Sequence, residues 1–175
     1  RMLYLMGNPT IERVSGRTYT ETDMDAERGR EFDVEELAMG VVYFEQGLSM
    51  HVTSAWAIHL DQFSPSYIVG SKGGLRVEPF SAFKTIADID FDMKANTDAV
   101  MGRWALMQPE LSRDMSSSQR HWAAALHGRV ELLPTAELAL NTMLLQQGIY
   151  LSAERKEEVT AEEIRSASVS TAVKL

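Results

Sequence analysis

Between Asp33 and Leu60 the chain reads DVEELAMGVVYFEQGLSMHVTSAWAIHL, the longest stretch whose polar and apolar positions follow a β pattern. Apolar and β-branched residues from Leu37 to Phe44 lead into Glu45-Gln46-Gly47. A run follows in which Leu48, Met50, Val52, Trp56 and Ile58 face opposite to Ser49, His51, Thr53, Ala55 and His59. The pattern predicts a hairpin whose three-residue loop places Gly47 in the left-handed region, where a Cβ would clash. Loop length then sets the register. Phe44 pairs with Leu48, so Ala38, Gly40 and Val42 share a face with Met50, Val52 and Ser54. That face runs on to Trp56 and is expected to lie under helices, with the Trp56 ring in the core. The opposite face shows Leu37, Met39, Val41 and Tyr43 beside Ser49, His51, Thr53 and Ala55. Half apolar, it is expected to carry a homo-oligomer interface, because a contiguous apolar patch on a sheet marks an interaction surface.

The remaining elements follow from the same patterns. Met2 to Met6, ended by Gly7-Asn8-Pro9, reads as the last turn of a helix with Gly7 as its cap, so the chain is expected to be part of a larger protein. Thr10 to Thr20 reads as a strand, and the charge-rich Glu21 to Glu36 as a solvated loop. Tyr67-Ile68-Val69 is a short strand ended by Gly70-Ser71-Lys72-Gly73-Gly74, after which Leu75 to Pro79 alternates again. This glycine turn lies between strands, whereas a phosphate loop needs a helix behind it, so the turn is read as a sheet connection. Thr85 to Met93 reads as one edge strand, and Asp98 to Asp114 as a short helix and a loop broken at Pro109. Ser116 to Ser118 offer N-caps for a helix through His127, stopped at Gly128. A longer helix follows Pro134, with Thr135 as N-cap and Leu140, Met143, Leu144, Gln147 and Leu151 at helical spacing, to about Arg155. These two helices are expected to cover the sheet. Thr160 and Glu163 have the spacing of a capping box, and Ser166 to Thr171 is poor in strong helix formers. The fold class is therefore α+β: one domain over residues 1–175, with an open, mostly antiparallel sheet and helices on one face.

Composition narrows the function. A formal net charge of −8 over 175 residues argues against nucleic acid or an anionic membrane as partner, leaving a small polar molecule or another protein. No apolar run reaches the length of a membrane span, and the absence of cysteine is compatible with a cytoplasmic setting. His51, His59, His121 and His127 have no convincing partners in sequence. His59 and Asp61 would share one side of a strand, yet no third ligand has metal-site spacing, so no metal site is expected. No nucleophile elbow, His-Glu-x-x-His motif or dinucleotide fingerprint occurs.

The acidic lead-in Asp33, Glu35 and Glu36, the phrase Tyr43 to Gly47 and the Ser54-Ala55-Trp56 ending resemble the C-terminal domain of the glucose-fructose oxidoreductase / inositol dehydrogenase / MocA family. So do Tyr4 to Pro9, Val69 to Leu75 and Arg120 to Glu158, in the same order. The resemblance implies an NAD(P)-dependent oxidoreductase of a sugar, polyol or related small polar alcohol. Its nucleotide-binding domain and catalytic residues would precede Arg1, and NAD or NADP would bind the full-length protein. No catalytic, cofactor or metal residue is then assigned in this chain, which alone is expected to be inactive. Strand ends carry the loops where ligands meet a scaffold, so Trp56 and His59 are expected at the rim of the substrate pocket. A free-standing binding or oligomerisation module without catalytic activity is the alternative.

Overall fold

The computed structural model describes residues 1–21 and 34–169. It divides into two compact units, one formed by Arg1–Asp61 with Pro134–Leu175 and the other by Gln62–Leu133. The class is α+β, and both sheets are antiparallel.

The first unit begins with α1 (Met2–Leu5), whose chain reverses through Gly7 at φ +79°. Strands β1 (Ile11–Tyr19), β2 (Leu37–Phe44) and β3 (Ser49–Ala55) follow, and α5 (Thr135–Arg155), β8 (Val159–Thr160) and α6 (Ala161–Ala167) complete the unit. The sheet order is β3-β2-β1-β8. The hairpin register is the expected one, with Val42 opposite Met50 and Val41 opposite His51. A turn of 3₁₀ helix carries Glu45–Gly47, and Gln46 joins Gly47 in the left-handed region at φ 65°. In β1, Ile11 and Val14 are both buried although strict alternation would oppose them. A register shift between Ile11 and Arg13 supplies the extra residue that turns both inward.

The core lies between this sheet and α5. Val14, Val42 and Phe44 from the sheet meet Leu144, Leu145, Ile149 and Leu151 from α5, and Ile164 from α6. Close approach is possible because Gly16 and Gly40 are cross-strand partners, leaving a notch that Ile149 fills. A Cβ on Gly16 would stand 2.9 Å from the Ile149 Cα, and one on Gly40 would stand 2.8 Å from Ile149 Cγ1. Gly148 does the same from the helix side, with Val14 and Ile164 side chains 2.8 Å from where its Cβ would be. Strand β8 covers only the Arg13 and Val14 positions of β1. Beyond it, the buried Ser152 hydroxyl takes over, accepting from the Gly16 amide (2.9 Å) and donating to the Glu157 carbonyl (2.5 Å). The capping box of α6 is complete, with Glu163 bonded back to the Thr160 amide at 2.7 Å.

Several expectations need correction in this unit. The long strand stops at Ala55, so Trp56, Ile58, His59 and Asp61 do not share strand faces. Trp56 is 52% exposed rather than a core residue. Leu140 and Met143 are each 61% exposed, because the buried stripe of α5 runs through Gly148 and Ser152, which hydropathy does not mark. Thr135 is the first helical residue and Pro134 the cap position, with no side-chain cap bond. Of the two helices expected over the sheet, α5 packs there. Its companion within the unit is α6, while the helix ending near His127 belongs to the second unit. The loop from Glu21 to Glu36 lies mostly outside the described residues, but Glu36 at its end is buried.

The second unit carries β4 (Tyr67–Gly70), β5 (Gly73–Arg76), β6 (Ser81–Ile86) and β7 (Ile89–Lys94), paired in that order. It continues with α2 (Thr97–Met107), α3 (Pro109–Asp114) and α4 (Ser118–Leu126). The expected single strand from Thr85 to Met93 is instead the tight turn of a β6–β7 hairpin. Ala87 and Asp88 both take positive φ (49° and 62°), the demand of a two-residue hairpin turn, without the Asn-Gly pair that would have signalled it. Asp98 to Asp114 holds two helices, with Pro109 at the start of α3. Ser117 caps α4, and Gly128 ends it at φ +68°.

Polar anchors hold the helical part. Asp114 is buried and accepts both Arg129 Nε (2.9 Å) and Nη2 (3.2 Å), while buried His121 accepts the Leu133 amide at Nε2 (3.1 Å). The Arg129 hydrogen bonds hold the Asp114 carboxyl below its ordinary value of 3.8, against the opposing pull of burial. A depressed folded-state pKa stabilises above the unfolded value and is lost as pH falls through the folded one. The stability advantage of wild type over Asp114→Asn is therefore expected to be full at neutral pH and to shrink below about pH 4. Urea titrations of both proteins from pH 7 to 3 check this, and a constant difference would contradict it.

Candidate functional site

Where β2 begins and β3 ends, backbone and side chains gather beside α5. The Trp56 amide donates to the Glu36 carbonyl (3.1 Å), extending the β2–β3 ladder by one bond. Its indole Nε1 donates to the Glu35 carbonyl (2.8 Å), which fixes the ring, and the residue is about half exposed. From α5, the Tyr150 hydroxyl donates to Glu35 Oε1 at 2.7 Å. Glu36 sits one residue on, 8% exposed, with Oε2 bonded to nothing. His59 is exposed, four residues past the end of β3, and no bond joins it to this group. Two residues that pattern reading did not single out, Glu35 as an acceptor and Tyr150, therefore form the group with Trp56. Hydropathy gave no sign of Tyr150, which lies 115 positions from Glu35.

The Glu35 carboxylate, by accepting the phenol proton, raises the Tyr150 pKa above 10.0, and burial and the negative charge push the same way. A group with a raised folded-state pKa stabilises below its unfolded pKa and loses that contribution as pH rises through the folded one. Tyr150 is therefore expected to ionise above the ordinary tyrosine range, and Glu35→Gln to return its transition toward that range. Ultraviolet titration of wild type, Glu35→Gln and Tyr150→Phe checks this. Identical wild-type and Glu35→Gln curves would contradict it.

Chemically the group offers the half-buried Glu35 carboxylate, already accepting from Tyr150, beside the Trp56 indole, while the Glu36 carboxylate is buried. It holds no activated nucleophile. Among the described residues, no three His, Asp or Glu side chains are close enough to hold a metal ion. A shallow hollow along α6 is lined by Arg155, Thr160 and Glu163, which are engaged in the capping box and the Arg155–Glu163 ion pair, and by Glu162 and Ser166. The Gly70 to Gly74 turn joins antiparallel β4 and β5, so it does not fit a dinucleotide pyrophosphate, which needs a helix N-terminus behind the glycines.

No family model matches the sequence, and no curated protein matches it. The fold, however, is found in solved structures. An NAD-binding protein from Listeria innocua shares 12% identity over 87% of this chain and 46% of its own, with a TM-score of 0.56. A putative oxidoreductase from Thermotoga maritima shares 13% over 90% and 43%, with a TM-score of 0.52. The WlbA dehydrogenase from Bordetella pertussis, solved with NADH and UDP-GlcNAcA, shares 18% over 91% and 44%, with a TM-score of 0.55. The chain thus has the fold of under half of each of these proteins.

Proposed function

We propose that the chain is the substrate-side and interface domain of an NAD(P)-dependent oxidoreductase acting on a sugar, polyol or related small polar alcohol. The observation that carries this reading is the fold match over 87–91% of this chain to an NAD-binding protein, a putative oxidoreductase and a dehydrogenase, each more than twice the matched length. In this reading NAD or NADP is held by a separate nucleotide domain, consistent with a glycine turn here that does not fit a pyrophosphate. Trp56 and His59 stand at the substrate rim, with Glu35 and Tyr150 behind the indole. No helix among the described residues is long and apolar enough to cross a membrane, and a cytoplasmic setting is proposed.

The open face of the first sheet is proposed as the homo-oligomer interface, through Leu37, Met39, Val41, Tyr43, His51 and Thr53. Its support is that Met39 stands 45% exposed at the middle of an apolar column, with the Arg13 guanidinium 4.9 Å from the Tyr43 ring. Tyr43→Lys or Val41→Glu should then shift the assembly to monomer in light scattering.

The test uses the full-length protein. NADH or NADPH fluorescence should report cofactor binding, and a panel of polyols and nucleotide sugars should reveal turnover. Trp56→Ala and His59→Ala should raise KM about tenfold while leaving cofactor affinity unchanged. A protein that binds neither cofactor would sink the oxidoreductase reading. Unaltered KM in both variants would remove the rim assignment only.

A further inference from the structure

Strand β7 is the outer strand of the second unit's sheet, and every one of its residues, Ile89 to Lys94, is exposed. The two-residue turn at Ala87-Asp88 fixes which backbone groups are used. Ile86 and Ile89 close the turn, so the amides and carbonyls of Ile89, Phe91 and Met93 face β6, while those of Asp90, Asp92 and Lys94 point to the free edge. The Ala95 amide, bonded inward to the Phe80 carbonyl at 3.1 Å, continues this phase. Natural edges of this kind are blunted by proline, a bulge or charged side chains. Here β7 has no proline, its register against β6 runs without a shift, and its charges are of both signs.

Opposite charges at this spacing select a register. In an antiparallel pairing of two β7 strands about a twofold axis through Met93, Asp92 of each copy stands opposite Lys94 of the other, in hydrogen-bonded pairs. The axis then passes between two Met93 side chains in a non-hydrogen-bonded pair, with Phe91 beside Ala95 of the other copy. Sliding by one pairing step instead sets Asp92 against Asp92 on the axis while Asp90 meets Lys94, and the next step sets Asp90 against Asp92, so of the three only the Met93-centred register pairs opposite charges with no like-charge contact. Among the described residues, Asp92 and Lys94 make no ion pair within the chain, so both are available. On the other face, Phe91 and Met93 continue an apolar row through Ala82 and Leu75 to Ile68, which the pairing would prolong into the second copy.

We propose that β7 is a self-association edge, taking β7 of a second copy of this chain in the Met93-centred antiparallel register, independently of the open face of the first sheet. The ladder is short, so the association is weak and belongs to high concentration.

The chain has no cysteine, so one introduced thiol reports unambiguously. A non-hydrogen-bonded pair holds its Cα atoms about 4.5 Å apart, within disulfide reach. Mild oxidation of Met93→Cys at tens to hundreds of micromolar is expected to give a covalent dimer at least about tenfold faster than Leu106→Cys, an exposed helical control. Adding Asp92→Lys, or Lys94→Asp, sets like charges opposite and is expected to slow cross-linking about tenfold. The double exchange Asp92→Lys/Lys94→Asp restores it, and Tyr43→Lys leaves it untouched. Cross-linking no faster than the control overturns the proposal. So does cross-linking insensitive to the single charge changes, or one that appears only when Phe91→Cys is mixed with Met93→Cys. Far-ultraviolet circular dichroism confirms that each variant is folded, which is expected because the substituted β7 side chains are exposed.

Discussion

Gly16→Ala is expected to destabilise the first unit by about 1–3 kcal/mol, despite the gain that alanine normally brings. Replacing glycine in a strand lowers the entropy of the unfolded chain, a stabilisation of roughly 0.5–1 kcal/mol. Against it stands the Ile149 Cα, 2.9 Å from the new methyl. A backbone atom of a packed helix cannot rotate away, so α5 must shift as a body, and overpacking wins. Gly40→Ala meets the Ile149 side chain instead, at Cγ1 and Cδ1, although the Ser15 carbonyl at 3.1 Å also crowds it. The two positions therefore separate in a mutant cycle. In an Ile149→Ala background, itself costing about 2–5 kcal/mol, Gly40→Ala should become close to neutral, since its methyl occupies the space vacated. Gly16→Ala should stay costly there, because the Cα remains. Urea midpoints of the four combinations give the answer, and equal relief at both glycines would refute this account of the notch. Gly148→Ala lies between, with about 1 kcal/mol of helix propensity set against contacts with Val14 and Ile164.

Ser152→Ala is expected to cost about 2–4 kcal/mol, more than a buried hydroxyl's size would imply. The hydroxyl serves two backbone groups at once, accepting from Gly16 and donating to Glu157. Its removal leaves the buried Gly16 amide on β1 without its partner and frees the Glu157 carbonyl beyond α5. The helix propensity gained by alanine, roughly 0.5 kcal/mol, is too small to offset this. Hydrogen exchange at the Gly16 amide gives a local readout. Its protection should fall in Ser152→Ala by more than the global loss of stability explains. A variant within 0.5 kcal/mol of wild type, with Gly16 still protected, would mean that β1 has found another partner at this position.

The fold match and the site bear differently on function. Tyr150, Glu35 and Trp56 make a hydrogen-bonded group that orients an indole face, which is a binding feature and not a reacting one. In the proposed reading, the contribution of this group is affinity and selectivity. Changes at Trp56 are therefore expected to act on KM rather than on cofactor affinity.

The sequence by itself determined the α+β class and the β2–β3 register, because side-chain alternation and a three-residue loop leave one pairing that keeps Val42 and Met50 together. It also determined the helix ends where a local signal exists, at Gly7, Gly128 and the Thr160–Glu163 box. Only the tertiary structure decided which face of α5 is inside. That face is defined by closeness of approach, for which Gly148 and Ser152 are chosen, and neither residue registers as apolar. The same holds for Trp56, which leaves the strand once Leu37 and Ala55 end the ladder, and for Ala87-Asp88, a turn made by backbone conformation without its usual residues. The division of the strands into two sheets was likewise beyond reach, since alternation states which way a side chain points but not which strand stands beside it.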